Sequence, residues 1–448
     1  MKSFFSIFQA YAVLLELKKH IGINIFWLLI DKVLRFGASL LTMILIARHF
    51  GPAEFGALSF AMSIVAIFGS LASMGLQSIV VRDIIQNQKE ESLILGSAGF
   101  VQFIAGLLSY CFLVLTIVLF LRDGPTIQLL TLILGATLFV KFTEIGTYFF
   151  ESKIESKYTV WITNSCNLLF VSIKVYLIHS GASLYSIAFV TLSEVVASGL
   201  LVFLAMQIKL GQKLSINLKR CDSLMRDGFP LLLASTMILI YMRLDQIMLI
   251  KLSDLRQGGI YSAAVRIGEI WYLIPAILVQ SLYPVLVKCY RENKEEYLAK
   301  VMGILRILFL TSVISAVLMS IFSQLMINTL YGNQYVESGL ILSIHLWSSI
   351  FVFMGVIGSS CYVIQGLQYV LLTNTILGVV LLVFSNYFLI PRFGAVGASI
   401  SLLMTQMFVS WLFDYIHPQT RPLFFLKLKS MNLMNFRTIE NQKLNQSR

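Results

Sequence analysis

Charged residues are scarce in this chain. Only 12% of its 448 residues are Asp, Glu, Lys or Arg, while 58% are hydrophobic and the mean hydropathy is +0.83. A soluble globular protein of this length needs more polar surface than these numbers allow. The apolar residues form long runs of about 20 residues, which suits membrane helices, and not the short alternating segments of a membrane β-barrel. We therefore predict an all-α polytopic membrane protein.

Cysteines and chemical motifs are also few. The five cysteines, Cys111, Cys166, Cys221, Cys289 and Cys361, are far apart in the sequence, so we expect no disulfide and no metal site. The chain contains no G-x-x-x-x-G-K-[ST], H-E-x-x-H, C-x-x-C or G-x-S-x-G motif. The predicted outer loops are too short to hold a catalytic domain. We expect a transporter that has no cofactor and is not an enzyme.

The apolar runs divide into twelve predicted spans. They cover residues 25–46, 55–76, 93–121, 127–150, 158–178, 183–206, 228–250, 260–287, 301–322, 338–362, 370–390 and 394–416. An even number places both termini on one side. With the termini inside, the cytoplasmic segments carry 22 Lys and Arg against 5 outside. This bias follows the positive-inside rule and predicts that both termini are cytoplasmic.

The longest charged interruption lies at residues 207–227 and separates six spans from six. We predict a first bundle at 25–206 and a second at 228–416, arranged around a central cavity as in transporters built from two equivalent halves. Residues 1–24 are predicted to form an interfacial segment. The polar, basic segment 417–448 is predicted to be a mobile cytoplasmic tail.

Twelve charged side chains fall within the predicted spans. The bases are Lys32, Arg35, Lys141, Lys174, Arg243, Arg266 and Arg306, and the acids are Asp31, Glu144, Glu194, Asp245 and Glu269. A charge at the centre of a membrane helix costs roughly 2.5 to 3.5 kcal/mol, so these residues should face one another, water or a polar substrate. Because bases outnumber acids, we expect a cationic cavity and an anionic substrate.

Spacing suggests which embedded charges act within one helix. Arg35 shares a helix face with both Asp31 and Lys32, so it either contacts substrate or forms a salt bridge with Asp31. Lys141 and Glu144 are three residues apart and either neutralise each other or line the cavity. Arg266 and Glu269 have the same spacing and the same two interpretations.

The remaining embedded charges need partners from elsewhere. Arg243 and Asp245 are two residues apart and point to different sides, so each requires another helix or the substrate. Glu194 has no base nearby in the sequence, which indicates either an ion pair across the bundle or a proton-binding coupling site. Lys174 and Arg306 lie near helix ends, where we expect them to snorkel to the membrane surface.

Short motifs occur along nearly the whole chain. The first half carries Asn24, Trp27, Asp31, Lys32 and Arg35, then Ala47-Arg48-His49-Phe50-Gly51-Pro52 with Phe55-Gly56, then Gly75-Leu76 ahead of Arg82-Asp83. The second half carries Arg243, Asp245 and Met248-Leu249, then Gly259, Tyr261 and Ala263, Tyr331-Gly332 with Tyr335, and Phe393-Gly394 with Gly397-Ala398. Each fragment alone is unspecific, but in their order along the spans they resemble the motifs of Wzx-type polysaccharide flippases of the multidrug/oligosaccharidyl-lipid/polysaccharide (MOP) exporter superfamily.

The resemblance implies an inner-membrane carrier for an oligosaccharide linked to undecaprenyl pyrophosphate, such as an O-antigen repeat unit. A polysaccharide polymerase and a chain-length regulator would be its protein partners, and membrane lipid its surroundings. Two alternatives remain: an ion-coupled multidrug exporter and a lipid II type flippase, which commonly has two more spans. We expect no nucleic-acid partner, because the net charge of +12 is spread over loops that flank the spans.

Overall fold

The computed structural model describes residues 2–120 and 124–431, with side chains from Gly37 onward except that of Phe120. Throughout this part of the chain the structure is helical and contains no strand. The α-helices are α1 (Lys2–Ser73), α2 (Gln77–Gln86), α3 (Glu91–Phe120), α4 (Pro125–Gly135), α5 (Glu144–Ser152), α6 (Lys157–His179), α7 (Leu184–Leu210), α8 (Leu218–Leu252), α9 (Leu255–Trp271), α10 (Leu273–Glu292), α11 (Lys294–Leu330), α12 (Ser338–Ile364), α13 (Gln368–Met407), α14 (Phe413–Ile416) and α15 (Arg421–Met431). Short 3-10 helices lie at Gln88–Glu90, Ala136–Thr143 and Asn333–Tyr335, and a π-helix at Phe408–Leu412.

Ten helical segments within the described residues are long and apolar enough to cross a membrane. Two of them, Gly37–Gln86 and Gln368–Ile416, have 50 and 49 residues, about twice the length that one crossing needs. Each is broken by a glycine with positive φ, Gly51 at 77° and Gly394 at 54°. Since each of these segments is long enough for two crossings, the described residues supply twelve spans. The predicted all-α membrane fold is confirmed.

The chain forms two compact units, Met1–Arg243 and Leu244–Arg448. The boundary lies inside α8, so this helix contributes to both units. The residues before α8 are packed on the first unit, where the Ser215 amide donates to the Ser92 carbonyl and the Asn217 amide to the Ser97 hydroxyl. Gly96 makes this approach possible, because an added Cβ would lie 2.1 Å from the Ser215 carbonyl oxygen. The domain bounds that we placed at 207–227 stay a prediction.

Each unit has an apolar core. The core of the first unit joins residues of α2, α3, α5, α7 and α8, including Ile84, Leu95 and Phe150. The core of the second unit joins residues of α10, α11 and α12, and it also includes Leu423 of α15. In the predicted orientation both cores lie toward the cytoplasmic ends of their helices.

Helix α15 corrects our expectation that the whole segment after Pro418 is a mobile tail. It packs against the second unit with Leu423, Lys427 and Ser430 buried. The Lys427 ammonium lies 2.6 Å from Asp414 and 2.6 Å from the Ser410 carbonyl oxygen. Charge counting missed this because it treated every base outside the spans as solvated, whereas Lys427 is only 1% exposed.

Candidate functional site

The first unit contains a cavity of about 500 Å³. Its wall is formed by Met62, Val65, Ala66, Gly69, Ser70, Ser73, Leu134, Thr137, Leu138, Lys141, Thr191, Val195, Ser235 and Leu239. Among these described residues, Lys141 is the only one with a charge. The other polar groups in the wall are hydroxyls, so the cavity combines one cationic site with weak hydrogen-bonding groups on an apolar background.

A 3-10 helix places Lys141 in this wall. The segment Ala136–Thr143 winds more tightly than the α-helices on either side of it, which changes the direction in which its side chains project. Close packing accompanies the change, since a Cβ added to Gly106 would lie 2.3 Å from the Leu138 carbonyl oxygen. Lys141 lies beside Gly69, where an added Cβ would be 3.6 Å from its Cε atom. Small residues thus make room for the lysine.

Glu144 is the counter-charge of Lys141, and their N–O distance of 2.7 Å shows that the predicted i,i+3 ion pair is present. Glu144 also accepts a hydrogen bond from the Tyr148 hydroxyl at 3.0 Å. Gln102 donates to the Tyr148 oxygen at 3.1 Å and to the Ser73 carbonyl at 3.2 Å. The chain of contacts holds Glu144 outside the described cavity wall, while Lys141 remains in it.

A second cavity of about 290 Å³ lies beside the first. The two share Met62, Thr191 and Val195 in their walls. The smaller cavity contains both members of an ion pair, Lys174 and Glu194, which are 2.6 Å apart. Its wall therefore contains both charges of one ion pair, whereas the wall of the larger cavity contains only the lysine of the other pair.

Lys174 contradicts our prediction that it snorkels to the surface, because it is only 5% exposed and pairs with Glu194. Glu194 forms the ion pair across helices that was one of our two interpretations, since Lys174 is on α6 and Glu194 on α7. The Asn167 amide also donates to Glu194, at 2.8 Å. The helical spacing could not reveal this arrangement, because Lys174 and Glu194 are 20 residues apart.

In the second unit, Asp245 is buried and accepts hydrogen bonds from Tyr261 at 3.0 Å and from Asn386 at 2.8 Å. We expected either another helix or the substrate to supply a partner for Asp245, and the structure shows partners from other helices, because Tyr261 lies on α9 and Asn386 on α13. Both donors are neutral groups. The structure thus stabilises this carboxyl group by hydrogen bonds from neutral side chains.

For the other predicted site residues, only the helix, the unit or the degree of burial is described. Arg266 and Glu269 are partly buried on α9, and Arg243 is the last residue of the first unit. Asp31, Lys32 and Arg35 belong to α1, but their side chains lie outside the described residues. Contact of any of these residues with substrate stays a prediction.

Sequence reasoning missed the neutral polar residues that organise the embedded charges. These are Gln102, Tyr148, Asn167, Tyr261 and Asn386. One signal was available: Tyr148 follows Glu144 by four residues, so both share a helix face. The others join different helices, and no local spacing indicates them.

Comparison with known proteins gives one family and several related folds. Residues 21–290, more than half of the chain, match the family described as Polysaccharide biosynthesis protein. No curated protein matches the sequence.

Solved structures show the fold. The chain is similar to an inward-facing multidrug resistance MATE family transporter of the MOP superfamily, with 15% identity, a TM-score of 0.69, and coverage of 91% of this chain and 99% of the other. It is also similar to the lipid II flippase MurJ in an inward closed conformation, with 15% identity, a TM-score of 0.68, and coverage of 92% and 90%. A MOP superfamily transporter from Pyrococcus furiosus has 15% identity, a TM-score of 0.63, and coverage of 93% and 97%. The chain therefore belongs to the polysaccharide biosynthesis protein family, and its twelve-span fold is that of the MOP superfamily transporters.

Proposed function

We propose that this protein is a flippase that moves a polyprenyl-pyrophosphate-linked oligosaccharide from the cytoplasmic to the outer leaflet of the inner membrane. The substrate class would be an O-antigen or a related surface-polysaccharide repeat unit. Membership of the polysaccharide biosynthesis family supports the glycan part of this proposal, and the MOP fold supports transport. Both termini would lie in the cytoplasm, as the loop charges indicate.

The observation that carries the proposal is the position of Lys141. Its ammonium has three donors, and Glu144 takes one of them at 2.7 Å. Two donors remain for a phosphate oxygen in the larger cavity. Because Tyr148 and Glu144 are hydrogen-bonded to each other, the carboxylate is held away from the space that an anion would occupy. The polyprenyl chain would stay in lipid while the head group enters the cavity.

The membrane potential supplies a driving force for such a step. Moving one charge through 100 mV changes the free energy by about 2.3 kcal/mol, so exporting two negative charges from an inside-negative cell releases roughly 4.6 kcal/mol. A carrier of this kind needs no ATP. We extend the proposal to Arg35 and Arg243, which occupy equivalent first-helix positions in the two halves of the sequence, and to the neighbouring Lys32, Asp31 and Asp245.

Charge pairing argues against the multidrug alternative. An exporter of cationic drugs needs a carboxylate that is free to bind the drug, but Glu144 and Glu194 in the first unit are each neutralised by a lysine. The lipid II alternative carries the same pyrophosphate as our proposed substrate, so the first cavity does not distinguish them. The glycan that accumulates when the gene is deleted will separate the two.

The test is complementation of a deletion strain that has no second flippase of this class. Lys141→Ala should fail to restore surface polysaccharide, and undecaprenyl-linked repeat units should accumulate on the inner leaflet. The double variant Lys141→Gln with Glu144→Gln should fail as well, although it leaves no unpaired buried charge. Lys157→Ala, which removes an exposed lysine, is the matched control and should behave as wild type. Normal surface glycan from both Lys141 variants at wild-type membrane levels contradicts the proposed site.

A further inference from the structure

The two cavities of the first unit differ in charge. The wall of the larger cavity contains Lys141 but not its partner Glu144, whereas the wall of the smaller one contains Lys174 together with Glu194. An anion in the larger cavity would meet the Lys141 ammonium without a carboxylate in the same wall, because Glu144 is not part of it. The smaller cavity offers an anion no net attraction, so it requires a ligand group that is polar and uncharged.

The smaller cavity has hydrogen-bond donors and acceptors that suit a polar, uncharged ligand group. Glu194 receives one bond from Asn167 and one from Lys174, on different oxygens. A carboxylate has about four acceptor sites, so two remain, and the Asn167 amide keeps a second N–H donor. Acceptor and donor thus lie next to each other. A sugar hydroxyl can use both, because it donates and accepts at once.

Hydroxyl groups complete the wall of the smaller cavity. They belong to Ser39, Thr42, Thr163, Thr191 and Ser198. The hydroxyls of Thr42 and Thr191 donate to backbone carbonyls of their own helices. Their oxygens therefore keep lone pairs that can accept from a ligand. A wall of this composition suits a polyhydroxylated ring better than a hydrophobic drug.

The two cavities are also neighbours, because Met62, Thr191 and Val195 lie in the walls of both. A ligand whose phosphate lies at Lys141 could place its next chemical group in the smaller cavity. The volume of about 290 Å³ is at the lower end of small-molecule sites, which is in keeping with one sugar ring.

We propose that Glu194 and Asn167 form a subsite for the hydroxyls of the sugar nearest the pyrophosphate, separate from the anion subsite at Lys141. Lys174 acts as a positioning residue that holds the Glu194 carboxylate in place. This inference rests on the proposed function and assigns the two parts of one substrate to two cavities.

Binding to the purified full-length protein tests the assignment. The probes are undecaprenyl pyrophosphate without sugar and the lipid-linked repeat unit extracted from the deletion strain. We expect wild type to bind the glycan-bearing lipid at least tenfold more tightly. Glu194→Gln and Asn167→Ala should remove most of that difference and change the affinity for the sugar-free lipid less than twofold. Ser193→Ala, at an exposed neighbouring position, is the matched control.

The two proposals fail in different ways. If wild type binds both lipids equally, or if the variants lose affinity for both in the same proportion, the sugar subsite is contradicted and the anion site stands. If wild type binds neither lipid, the proposed function fails and the subsite fails with it. Asn167→Ala keeps the Lys174–Glu194 ion pair. Its affinities for the two lipids therefore test the sugar subsite even where Glu194→Gln reduces the yield of folded protein.

Discussion

Neutral hydrogen-bonding residues determine what the partly buried charges of the first unit can do. Lys141 and Glu144 would form an ion pair on any regular helix at this spacing, but Tyr148 and Gln102 fix the position of the carboxylate. A buried hydrogen bond contributes about 1 kcal/mol net, and somewhat more when one partner is charged. This is enough to decide whether Lys141 offers its ammonium to Glu144 alone or also to a ligand.

Replacing Tyr148 by Phe should therefore weaken binding of undecaprenyl pyrophosphate by roughly three- to tenfold, which corresponds to about 1 kcal/mol. The variant frees Glu144 to compete with the ligand for Lys141, while the ring and its packing remain. Affinity of the purified protein for the sugar-free lipid is the measurement. Tyr158→Phe, which changes an exposed ring, serves as control. An unchanged affinity in Tyr148→Phe would show that the hydroxyl does not control the ion pair.

At the scale of an element, α15 is held to the second unit by a buried ionic network. Lys427 and Asp414 are 1% and 0% exposed, and the Tyr362 hydroxyl donates to the same carboxylate. The π-helix Phe408–Leu412 contributes because the wider turn leaves the Ser410 carbonyl available to Lys427. A short helix of 11 residues is marginal alone, so these contacts and the burial of Leu423 keep it in place.

Lys427→Met should destabilise the protein by about 3 to 5 kcal/mol, because it leaves the Asp414 carboxylate buried without its cation. Adding Asp414→Asn should recover much of that loss, since an amide can still accept from Tyr362 and carries no charge. Thermal unfolding of the detergent-solubilised protein reports both effects. The exposed Lys429→Met is the matched control and should change little. Equal melting temperatures for Lys427→Met and Lys429→Met would mean that the ion pair does not hold α15.

At the scale of the whole molecule, the distribution of loop charges predicts the orientation in the membrane. The predicted inside segments carry 22 bases and the outside segments carry 5. Moving the boundary of any single span would not reverse this difference. Twelve crossings with both termini inside place the charged segment between the sixth and seventh spans in the cytoplasm. The charge network there, including Arg220 with Asp83 and Arg82 with Asp227, would then face the cytoplasm.

Reporter fusions can test this topology directly. Fusions after Gly181 and after Gln334 should report the periplasmic side, and a fusion after Lys213 the cytoplasmic side. The reason is that these positions lie between predicted spans on opposite sides of the membrane. A fusion after Lys89 should agree with that after Lys213. A periplasmic signal at Lys213 would overturn both the orientation and the division into two halves of six spans.

The sequence by itself determined the properties that depend on composition and local spacing. Low charge content and long apolar runs imply membrane helices, and the count of twelve spans follows from their lengths. The ion pair of Lys141 with Glu144 was also predictable, because residues three apart on a helix are neighbours wherever that helix lies. These conclusions need no knowledge of how helices pack.

Tertiary structure alone decided which distant groups meet. A buried charge must find a partner, but the partner depends on how each helix is rotated and shifted against the next. Lys174 therefore pairs with Glu194 and does not snorkel, Asp245 meets Tyr261 and Asn386, and Lys427 of the supposed tail is buried against Asp414. The difference between the two cavities arises in the same way, because packing places Glu194 in a cavity wall and keeps Glu144 out of one.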